Sequence, residues 1–281
     1  MEDVLFIVNP ISGKGKKEAI VAGIRARGGE VVYTEHPGHA EEIARACTQG
    51  TVVAVGGDGT VNEVARGLLG TGKTLGIIPC GSGDGLALHL GISRRPARAL
   101  DVIMEGKTRT VDCGEIDGRP FFSVCGVGLD ADVSRNFAES GSRGLMTYVR
   151  EALRVWRGFE PVEYCLEIDG QPTLRKAVLI TAANSNQWGN NARIAPAASC
   201  SDGLLDVIVL KPFRSIEIPL LALQLMTGRL DKSRRYECLR CRRLVVSRFS
   251  EGPAHFDGDY FQAGARVEIG LVSQKLKVLV P

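Results

Sequence analysis

Aromatic residues are scarce in this chain, and its charge is nearly balanced. Phe, Trp and Tyr account for 6% of its 281 residues, and 35 Lys and Arg stand against 32 Asp and Glu, which gives a formal net charge of only +3. A nucleic-acid-binding domain is expected to combine a basic stripe with aromatic rings that stack on bases. The composition therefore argues against nucleic acid as a partner.

Long hydrophobic runs are also missing. The longest apolar stretch, at residues 216–226, is too short and too interrupted to cross a bilayer, which takes about 20 apolar residues. The first residues, Met1 to Asp3, lead directly into an apolar strand and show neither the basic region nor the long hydrophobic region of a signal peptide. The sequence predicts a cytoplasmic protein without a transmembrane segment.

Apolar strands and helical patterns alternate through the first hundred residues. Strands are predicted at residues 4–8, 31–34, 51–55 and 75–78, with helices between them. Short buried strands separated by helices indicate a parallel sheet, whose ligand loops lie at the carboxyl ends of the strands. The first part of the chain is therefore expected to be an α/β domain over residues 1–108.

Strand follows strand in the rest of the chain. Gly, Pro and Asp turns separate these strands, which include one at residues 275–280, and helices are predicted near residues 145–156 and 214–229. Such a series is typical of a β-sandwich. The predicted fold class is thus α/β, with an N-terminal parallel-sheet domain followed by a mainly β-sandwich domain over residues 109–281.

Three glycine-bearing turns each follow an apolar strand of the first domain. They lie at residues 9–16, 56–60 and 79–85. Glycines at the start of a helix leave backbone N–H groups open to an anion. Because the carboxyl ends of parallel strands meet at one edge of the sheet, the three turns are expected to converge on a phosphate group.

A fourth glycine-rich segment matches the Walker A pattern but has the wrong context. Residues 67–74 read Gly, four residues, Gly72, Lys73 and Thr74. A phosphate loop of that type follows a strand and opens a helix, whereas here a predicted helix precedes the segment and a strand follows it. We interpret it as the loop after a helix.

The motifs together resemble the diacylglycerol kinase catalytic family, which includes bacterial lipid kinases, sphingosine kinases and ceramide kinases. They occur in the family's order and span nearly the whole chain: Asn9-Pro10 with Gly13 and Gly15, the Gly56 to Thr60 loop with Asn62-Glu63, Gly81-Ser82-Gly83, Ala195-Pro196 to Asp206, and Asp257-Gly258-Asp259. The resemblance implies the two-domain fold described above, with the active site in the cleft between the domains. It also implies a kinase that uses ATP and Mg²⁺ to phosphorylate a lipid hydroxyl.

The family's nucleotide-binding residues carry over to the glycine turns and their surroundings. The resemblance assigns this role to Asn9, Pro10, Ser12, Gly13, Gly15, Thr34, Gly56, Gly57, Asp58, Gly59, Thr60, Asn62, Glu63, Gly81 and Ser82. Catalysis of phosphoryl transfer depends mainly on positioning and charge neutralisation, which backbone N–H groups and Mg²⁺ supply.

Two carboxylates compete for the role of general base. Asp259 matches the acidic residue proposed as the base in bacterial members, although the family more often has Glu there. Asp58 matches the aspartate credited as the base in sphingosine-kinase-like members, and it is otherwise expected to be the carboxylate linked to the metal ion, directly or through water. Each also has an ordinary structural interpretation: Asp58 as a helix cap and Asp259 as a turn residue.

The resemblance further implies a metal site in the second domain. By position, Ser199 and Leu204 would contribute carbonyl oxygens and Asp202 its carboxylate, an oxygen set that suits Mg²⁺. Asp202-Gly203 is also a common turn sequence. Many relatives have Asn-Asp where this chain has Asp84-Gly85, so Asp84 is predicted to replace a missing metal carboxylate.

The acceptor is expected to be a lipid at a membrane surface. An apolar stripe on helix 145–156 lies beside arginines, residues 216–226 are apolar on most faces, and residues 229–248 are strongly basic. This combination suits peripheral association with anionic lipid, although a core helix and solvated strand faces give the same pattern. A kinase of soluble metabolites related to NAD kinases and a non-catalytic nucleotide-binding regulator are the alternatives, and a homodimer is left open.

Overall fold

The computed structural model describes residues 3–13, 17–141 and 144–281, in which the strands form three six-stranded sheets. The chain divides into two units. One contains residues 1–112 with 273–281, and the other contains residues 113–272.

The first unit begins with alternating strands and helices. They are β1 (Val4–Val8), α1 (Lys17–Arg25), β2 (Glu30–Tyr33), α2 (His39–Ala46), β3 (Thr51–Gly56), α3 (Asp58–Leu68), β4 (Thr74–Pro79), α4 (Gly85–His89), α5 (Pro96–Glu105) and β5 (Thr108–Val111). Strands β2, β1, β3 and β4 pair in parallel in that order. The order reverses between β1 and β3, which is where doubly wound sheets bind ligands.

Buried apolar runs make the centre of this sheet. Residues 5–8 of β1 and 52–55 of β3 are all buried, because helices cover both faces of a parallel sheet. Helix α5, which begins with Pro96 and ends before Gly106 at φ 69°, was not predicted from the sequence. Both residues are ordinary signals of helix ends.

The second unit consists mainly of antiparallel strands. Its elements are β6 (Gly114–Ile116), β7 (Arg119–Phe121), β8 (Val124–Gly128), α6 (Leu129–Glu139), α7 (Leu145–Trp156), β9 (Val162–Ile168), β10 (Gln171–Ala177), β11 (Leu179–Ala183), β12 (Leu205–Leu210), α8 (Ile218–Thr227), β13 (Tyr236–Cys241), β14 (Arg243–Ser247), β15 (Gly252–Phe256), β16 (Asp259–Ala263) and β17 (Arg266–Leu271). One sheet has the order β10-β9-β14-β17-β6-β7, and the other has the order β13-β12-β11-β8-β15-β16.

The two sheets of this unit share one core. Leu166 and Val246 from the first sheet belong to the same buried cluster as Val127 and Val207 from the second. Two sheets that bury their inner faces against each other form a sandwich. The predicted β-sandwich is therefore confirmed.

The sequence predicts single strands at residues 120–127, 176–184 and 240–249, and each of these is two strands in different sheets. The chain passes from one sheet to the other between β7 and β8, between β10 and β11, and between β13 and β14. Sandwich corners are made by such bends. An apolar run that continues through a bend gives no sign of the change of sheet.

The last strand, β18 (Leu276–Leu279), lies in the first unit. It pairs in parallel with β4 and antiparallel with β5. The observed division therefore differs from the predicted boundary after residue 108, because β5 and β18 both belong to the first sheet. Buried Leu276 and Val278 alternate with exposed Lys277. This pattern would fit a strand of the first sheet or a strand of the sandwich equally well.

Among the described residues, no helix combines the length and the apolar character needed to span a membrane.

Candidate functional site

The turn after β1 is tied to the start of α3. The side chain of Asn9 accepts the N–H of Ile11 at 2.9 Å and donates to the hydroxyl of Thr60 at 3.0 Å. Gly13 has φ 64°, and a Cβ there would lie 2.7 Å from the carbonyl oxygen of Cys80. The first turn therefore contacts both the second and the third.

The second and third turns touch through their glycines. A Cβ on Gly57 would lie 3.1 Å from Cα of Gly81, and one on Gly81 would lie 2.6 Å from Cα of Gly57. Only residues without a side chain allow the two backbones to approach so closely. The three turns meet as predicted.

Asp58 holds the third turn in place. Its carboxylate accepts the N–H of Asp84 at 2.8 Å and the N–H of Gly85 at 2.7 Å. Burial raises the pKa of Asp58, while the two N–H groups and the charge of Arg94 oppose that shift. Each carboxylate oxygen has a second lone pair, so the side chain can still receive a cation.

Asp84 and Arg94 complete this turn. Asp84 adopts φ 50°, accepts the N–H of Gly81 at 2.9 Å and lies 3.0 Å from Nε of Arg94. Arg94 also donates to the carbonyl oxygens of Ser82 at 3.0 Å and Gly83 at 2.6 Å. Burial, followed by the negative charge of Asp58, raises the pKa of Asp84 to about 6. Arg94 was not identified from the sequence, since no local pattern links it to the turn.

Other residues of the predicted nucleotide site have different surroundings. Thr34 is buried at the end of β2, where its N–H donates to the carbonyl oxygen of Val8 at 3.0 Å, and Asn62 is buried on α3. Glu63 turns to the neighbouring helix, where its carboxylate accepts the N–H of Ala40 at 3.2 Å. Glu63 thus supports the start of α2, and Gly15 lies outside the described residues.

The Walker-like segment lies away from these turns. It runs from the end of α3 to the start of β4, which confirms the order of helix and strand expected from the sequence. The ammonium group of Lys73 donates to the carbonyl oxygen of Cys47. Its lysine therefore stabilises the loop.

The triplet at residues 257–259 forms a tight hairpin between β15 and β16. Asp257 and Gly258 have φ 48° and 92°, as in a type I′ turn. The carboxylate of Asp257 accepts the N–H groups of Phe122 and Ser123 at 2.8 Å and of Val124 at 3.0 Å. Asp259 is exposed at the start of β16. Asp257 therefore anchors the hairpin, and Asp259 presents an accessible carboxylate beside it.

A buried polar cluster lies next to this hairpin and was not predicted. The carboxylate of Asp130 lies 2.9 Å from Nε2 of His255 and accepts the hydroxyl of Thr181 at 2.8 Å. All three residues are buried, and Nδ1 of His255 has no hydrogen-bond partner among the described residues. A ring with its hydrogen on Nε2 satisfies these contacts, and the cluster joins β11, β15 and the start of α6.

The segment around Asp202 has contacts of a stable turn. Its carboxylate accepts the N–H of Leu204 at 3.2 Å and forms an ion pair with Arg240, while the hydroxyl of Ser199 lies 3.5 Å from that of Ser201. Asp202 therefore already has a cationic partner. The metal role of Ser199, Asp202 and Leu204 stays a prediction.

Within the described ranges, one group of three His, Cys, Asp or Glu side chains is close enough to share a metal ion. It consists of His36, His39 and Glu42, after β2 and at the start of α2. Nδ1 of His39 accepts the N–H of Glu35 at 3.1 Å, and the two imidazole rings stack at 4.7 Å. Because Nδ1 of His39 already accepts a hydrogen bond, its lone pair is not free for a metal ion. The group therefore lacks a full set of ligand atoms for a prepared metal site.

Comparison with known proteins gives matches along nearly the whole chain. The family model described as diacylglycerol kinase catalytic domain matches residues 3–116, and the model described as YegS C-terminal NAD kinase beta sandwich-like domain matches residues 123–280. The diacylglycerol kinase of Bacillus subtilis (strain 168) is 26% identical over 275 residues, which cover 92% of this chain and 90% of that protein. The diacylglycerol kinase of Mycobacterium tuberculosis (strain ATCC 25618 / H37Rv) is 32% identical over 222 residues, with 73% and 72% covered.

Solved structures show the same fold at low sequence identity. A diacylglycerol kinase from Bacillus anthracis str. Sterne has a TM-score of 0.79 at 22% identity, covering 100% of this chain and 97% of that one. An NAD kinase from Archaeoglobus fulgidus in complex with ATP has a TM-score of 0.59 at 12% identity, with 98% and 93% covered.

Proposed function

Because the chain belongs to the diacylglycerol kinase catalytic family, we propose that it is a lipid kinase that transfers the γ-phosphate of ATP to a lipid hydroxyl, such as that of diacylglycerol. The observation that carries this proposal is the meeting of three glycine turns around Asp58 at the carboxyl end of one parallel sheet. The family is a family of kinases. The geometry of the turns supports a triphosphate as the donor of the transferred phosphate.

The turns supply the groups that bind phosphate. Helix α3 begins at Asp58 directly after Gly57, so the N–H groups of its first turn have no side-chain cap and remain available to an anion. The hydroxyl oxygen of Thr60 accepts a hydrogen bond from Asn9. Its own hydrogen is therefore directed to another acceptor, and a phosphate oxygen is a suitable one.

The residues of this site fit Mg²⁺. Asp58 has a free lone pair on each oxygen, and hard oxygen donors are the ligands that Mg²⁺ prefers. Bound there, the ion would neutralise charge on the transferring phosphoryl group. Asp84 is a weaker candidate because Arg94 already neutralises it.

Asp259 is the better of the two proposed general bases. The two N–H groups that Asp58 accepts favour its ionised form, and a bound Mg²⁺ would occupy its remaining lone pairs. Asp259, in contrast, is exposed on a hairpin that Asp257 anchors through three N–H groups. A general base must be accessible to the acceptor hydroxyl, and an exposed carboxylate meets that requirement. This role is assigned to Asp259 and the positioning role to Asp58.

An acceptor panel tests the proposed function. The protein is incubated with ATP labelled at the γ-phosphate, Mg²⁺ and, in turn, diacylglycerol, a sphingoid base and NAD. We expect label in a lipid. Label in NAD would reject the lipid proposal in favour of a soluble-metabolite kinase, whose fold this chain shares. Bound nucleotide with no labelled product would indicate a regulator.

A further inference from the structure

Helix α7 exposes its apolar residues and buries polar ones. Met146 is 80% exposed, and Val149 and Leu153, which follow at helical spacing on the same face, are also exposed. On the opposite face Thr147 and Glu151 are buried. A surface helix ordinarily turns its apolar stripe to the core. The arrangement here indicates that this apolar row contacts something outside the unit.

A row of arginines runs beside these apolar side chains. Arg150, Arg154 and Arg157 are all exposed. The acidic residue of α7, Glu151, is buried and lies 3.2 Å from the guanidinium of Arg150 and 3.7 Å from that of Arg154. Its charge is thus already compensated, and the outer face of the helix is apolar and basic.

Helix α8 is apolar and largely unburied. Its ten residues include no charged side chain, and Leu221 is its one fully buried residue. Leu220 is 58% exposed and Leu223 is 61% exposed, while Ile216, in the turn before the helix, is 85% exposed. Exposed apolar area of this extent on one helix marks an interaction site.

An aromatic contact joins the two helices into one surface. The ring of Trp156, the last residue of α7, stacks on Phe213 with centroids 4.5 Å apart and planes inclined by 8°. Nε1 of Trp156 donates to the hydroxyl of Ser215 at 3.0 Å, just before α8. Arg157 and Arg214, which are both exposed, lie beside this junction. A tryptophan with one apolar and one polar edge is typical of a membrane–water interface.

We propose that α7 and α8 form a docking surface that binds an anionic lipid membrane. The apolar row of α7 and the exposed face of α8 would enter the boundary between head groups and acyl chains, and the arginines would contact lipid phosphates. A helix of about 15 Å, at about 1.5 Å per residue, lies in such an interface rather than across it. The inference rests on the proposed lipid-kinase function, to which it adds the partner surface.

Charge favours a membrane over a second copy of the chain. In a twofold dimer the same patch meets itself, so the arginine row of one copy would face that of the other, and like charges would oppose association. An anionic bilayer instead complements both the apolar residues and the arginines.

Vesicle sedimentation tests the docking surface. The full chain is mixed with vesicles of phosphatidylcholine alone or with added phosphatidylglycerol, in low and high salt. We expect binding to the anionic vesicles that weakens with salt. Leu220→Glu and Leu223→Glu should each lower the partition coefficient by about tenfold or more, and Arg154→Gln and Arg157→Gln by about fivefold each.

Matched controls use an exposed leucine and an exposed basic residue elsewhere in the second unit. Leu174, on β10, is 63% exposed, and Lys176 on the same strand is exposed as well. Leu174→Glu and Lys176→Gln should bind vesicles like the parent protein. A second readout uses Trp188→Phe, which leaves Trp156 as the one tryptophan of the chain, and its emission should shift to shorter wavelength when anionic vesicles are added.

Three results would overturn the docking surface. They are absence of binding to anionic vesicles, equal losses in the α8 and β10 variants, and self-association without vesicle binding that Leu220→Glu abolishes. Phosphorylation of a dispersed short-chain diacylglycerol separates this inference from the function. Activity there without vesicle binding overturns the surface alone, whereas vesicle binding without any lipid phosphorylation supports the surface and rejects the function.

Discussion

At the residue scale, the carboxylates of Asp58 and Asp84 organise the third glycine turn. Asp58 accepts the N–H groups of Asp84 and Gly85, and Asp84 accepts the N–H of Gly81. Arg94 compensates part of their charge. The resemblance to a known family pointed to both carboxylates as metal-linked, but their hydrogen-bonding partners depend on tertiary contacts.

The raised pKa of Asp84 predicts a pH dependence of stability. The pKa is about 6 in the folded protein and about 3.9 in an unfolded chain, so the folded state binds the proton more tightly. This contribution to the free energy of unfolding is fully present below about pH 4 and is lost as the pH rises through about 6. Asp84→Asn should therefore gain on the order of 2 kcal/mol relative to the parent protein between pH 4 and pH 7.

Denaturant unfolding of both proteins at several pH values measures this difference. The negative charge of Asp58 contributes to the raised pKa of Asp84, so the difference between the proteins reports Asp84 together with its interaction with Asp58. A constant difference between the two proteins across this range would show that Asp84 is ionised throughout it.

Substitutions of the two hairpin aspartates should affect different properties, turnover for Asp259 and stability for Asp257. Asp259→Asn removes the proposed base and should lower kcat by about 10²–10⁴-fold, with ATP affinity unchanged. Asp257→Asn replaces a carboxylate that accepts three N–H groups and should lower stability by about 1–3 kcal/mol.

Steady-state kinetics, nucleotide binding and thermal melting distinguish the two variants. Asp259→Asn should melt like the parent protein. If that variant keeps full activity, Asp259 is not the base, and Asp58 becomes the remaining candidate.

At the element scale, the glycine turns combine close contact with open space. Gly81 lies against Gly57, whereas a Cβ on Gly59, in the first turn of α3, would meet no atom of the described residues within 4 Å. We interpret this open space as the position of a phosphate group.

Two glycine substitutions test that interpretation. Gly59→Ala should keep or raise stability by about 0.5–1 kcal/mol, since alanine favours a helix over glycine, yet weaken ATP binding by occupying the phosphate space. Gly81→Ala should lower both stability and ATP affinity, because its Cβ would press on Gly57. Calorimetry of unfolding and of ATP binding measures both properties. Unchanged ATP affinity in Gly59→Ala would place the phosphates elsewhere.

The elements themselves were predictable to different degrees. The strands and helices up to β4 follow the apolar periodicity closely, because β1, β3 and β4 are buried on both faces and each helix on one. The hairpin strands β15 and β16 and the helix α6 were missed. Their buried polar residues, Asp130 and His255, interrupt the apolar pattern while satisfying each other across 125 residues of sequence.

At the scale of the whole molecule, the chain returns to its first sheet at the end. Strand β18 lies between β4 and β5, and Lys275 forms an ion pair at 2.7 Å with the buried Asp112. The first unit therefore depends on nine residues that follow the sandwich in sequence.

Removal of residues 273–281 should destabilise the first unit. The truncation leaves β4 and β5 without a hydrogen-bonded neighbour between them and exposes the apolar side chains that β18 covers. We expect loss of ATP binding together with a lower melting temperature. Normal ATP affinity in the truncated chain would show that the four parallel strands β1 to β4 suffice for the site.

The sequence by itself determined the alternation of strands and helices, the three glycine turns and the family, because periodicity and motif spacing are local properties that survive without knowledge of partners. Only the tertiary structure decided which sheet receives β18, that Asp58 binds N–H groups 26 and 27 residues away, and that α7 turns its apolar row outward. Pairing and burial depend on which distant segments meet, and a local pattern that fits two surroundings equally well cannot select between them.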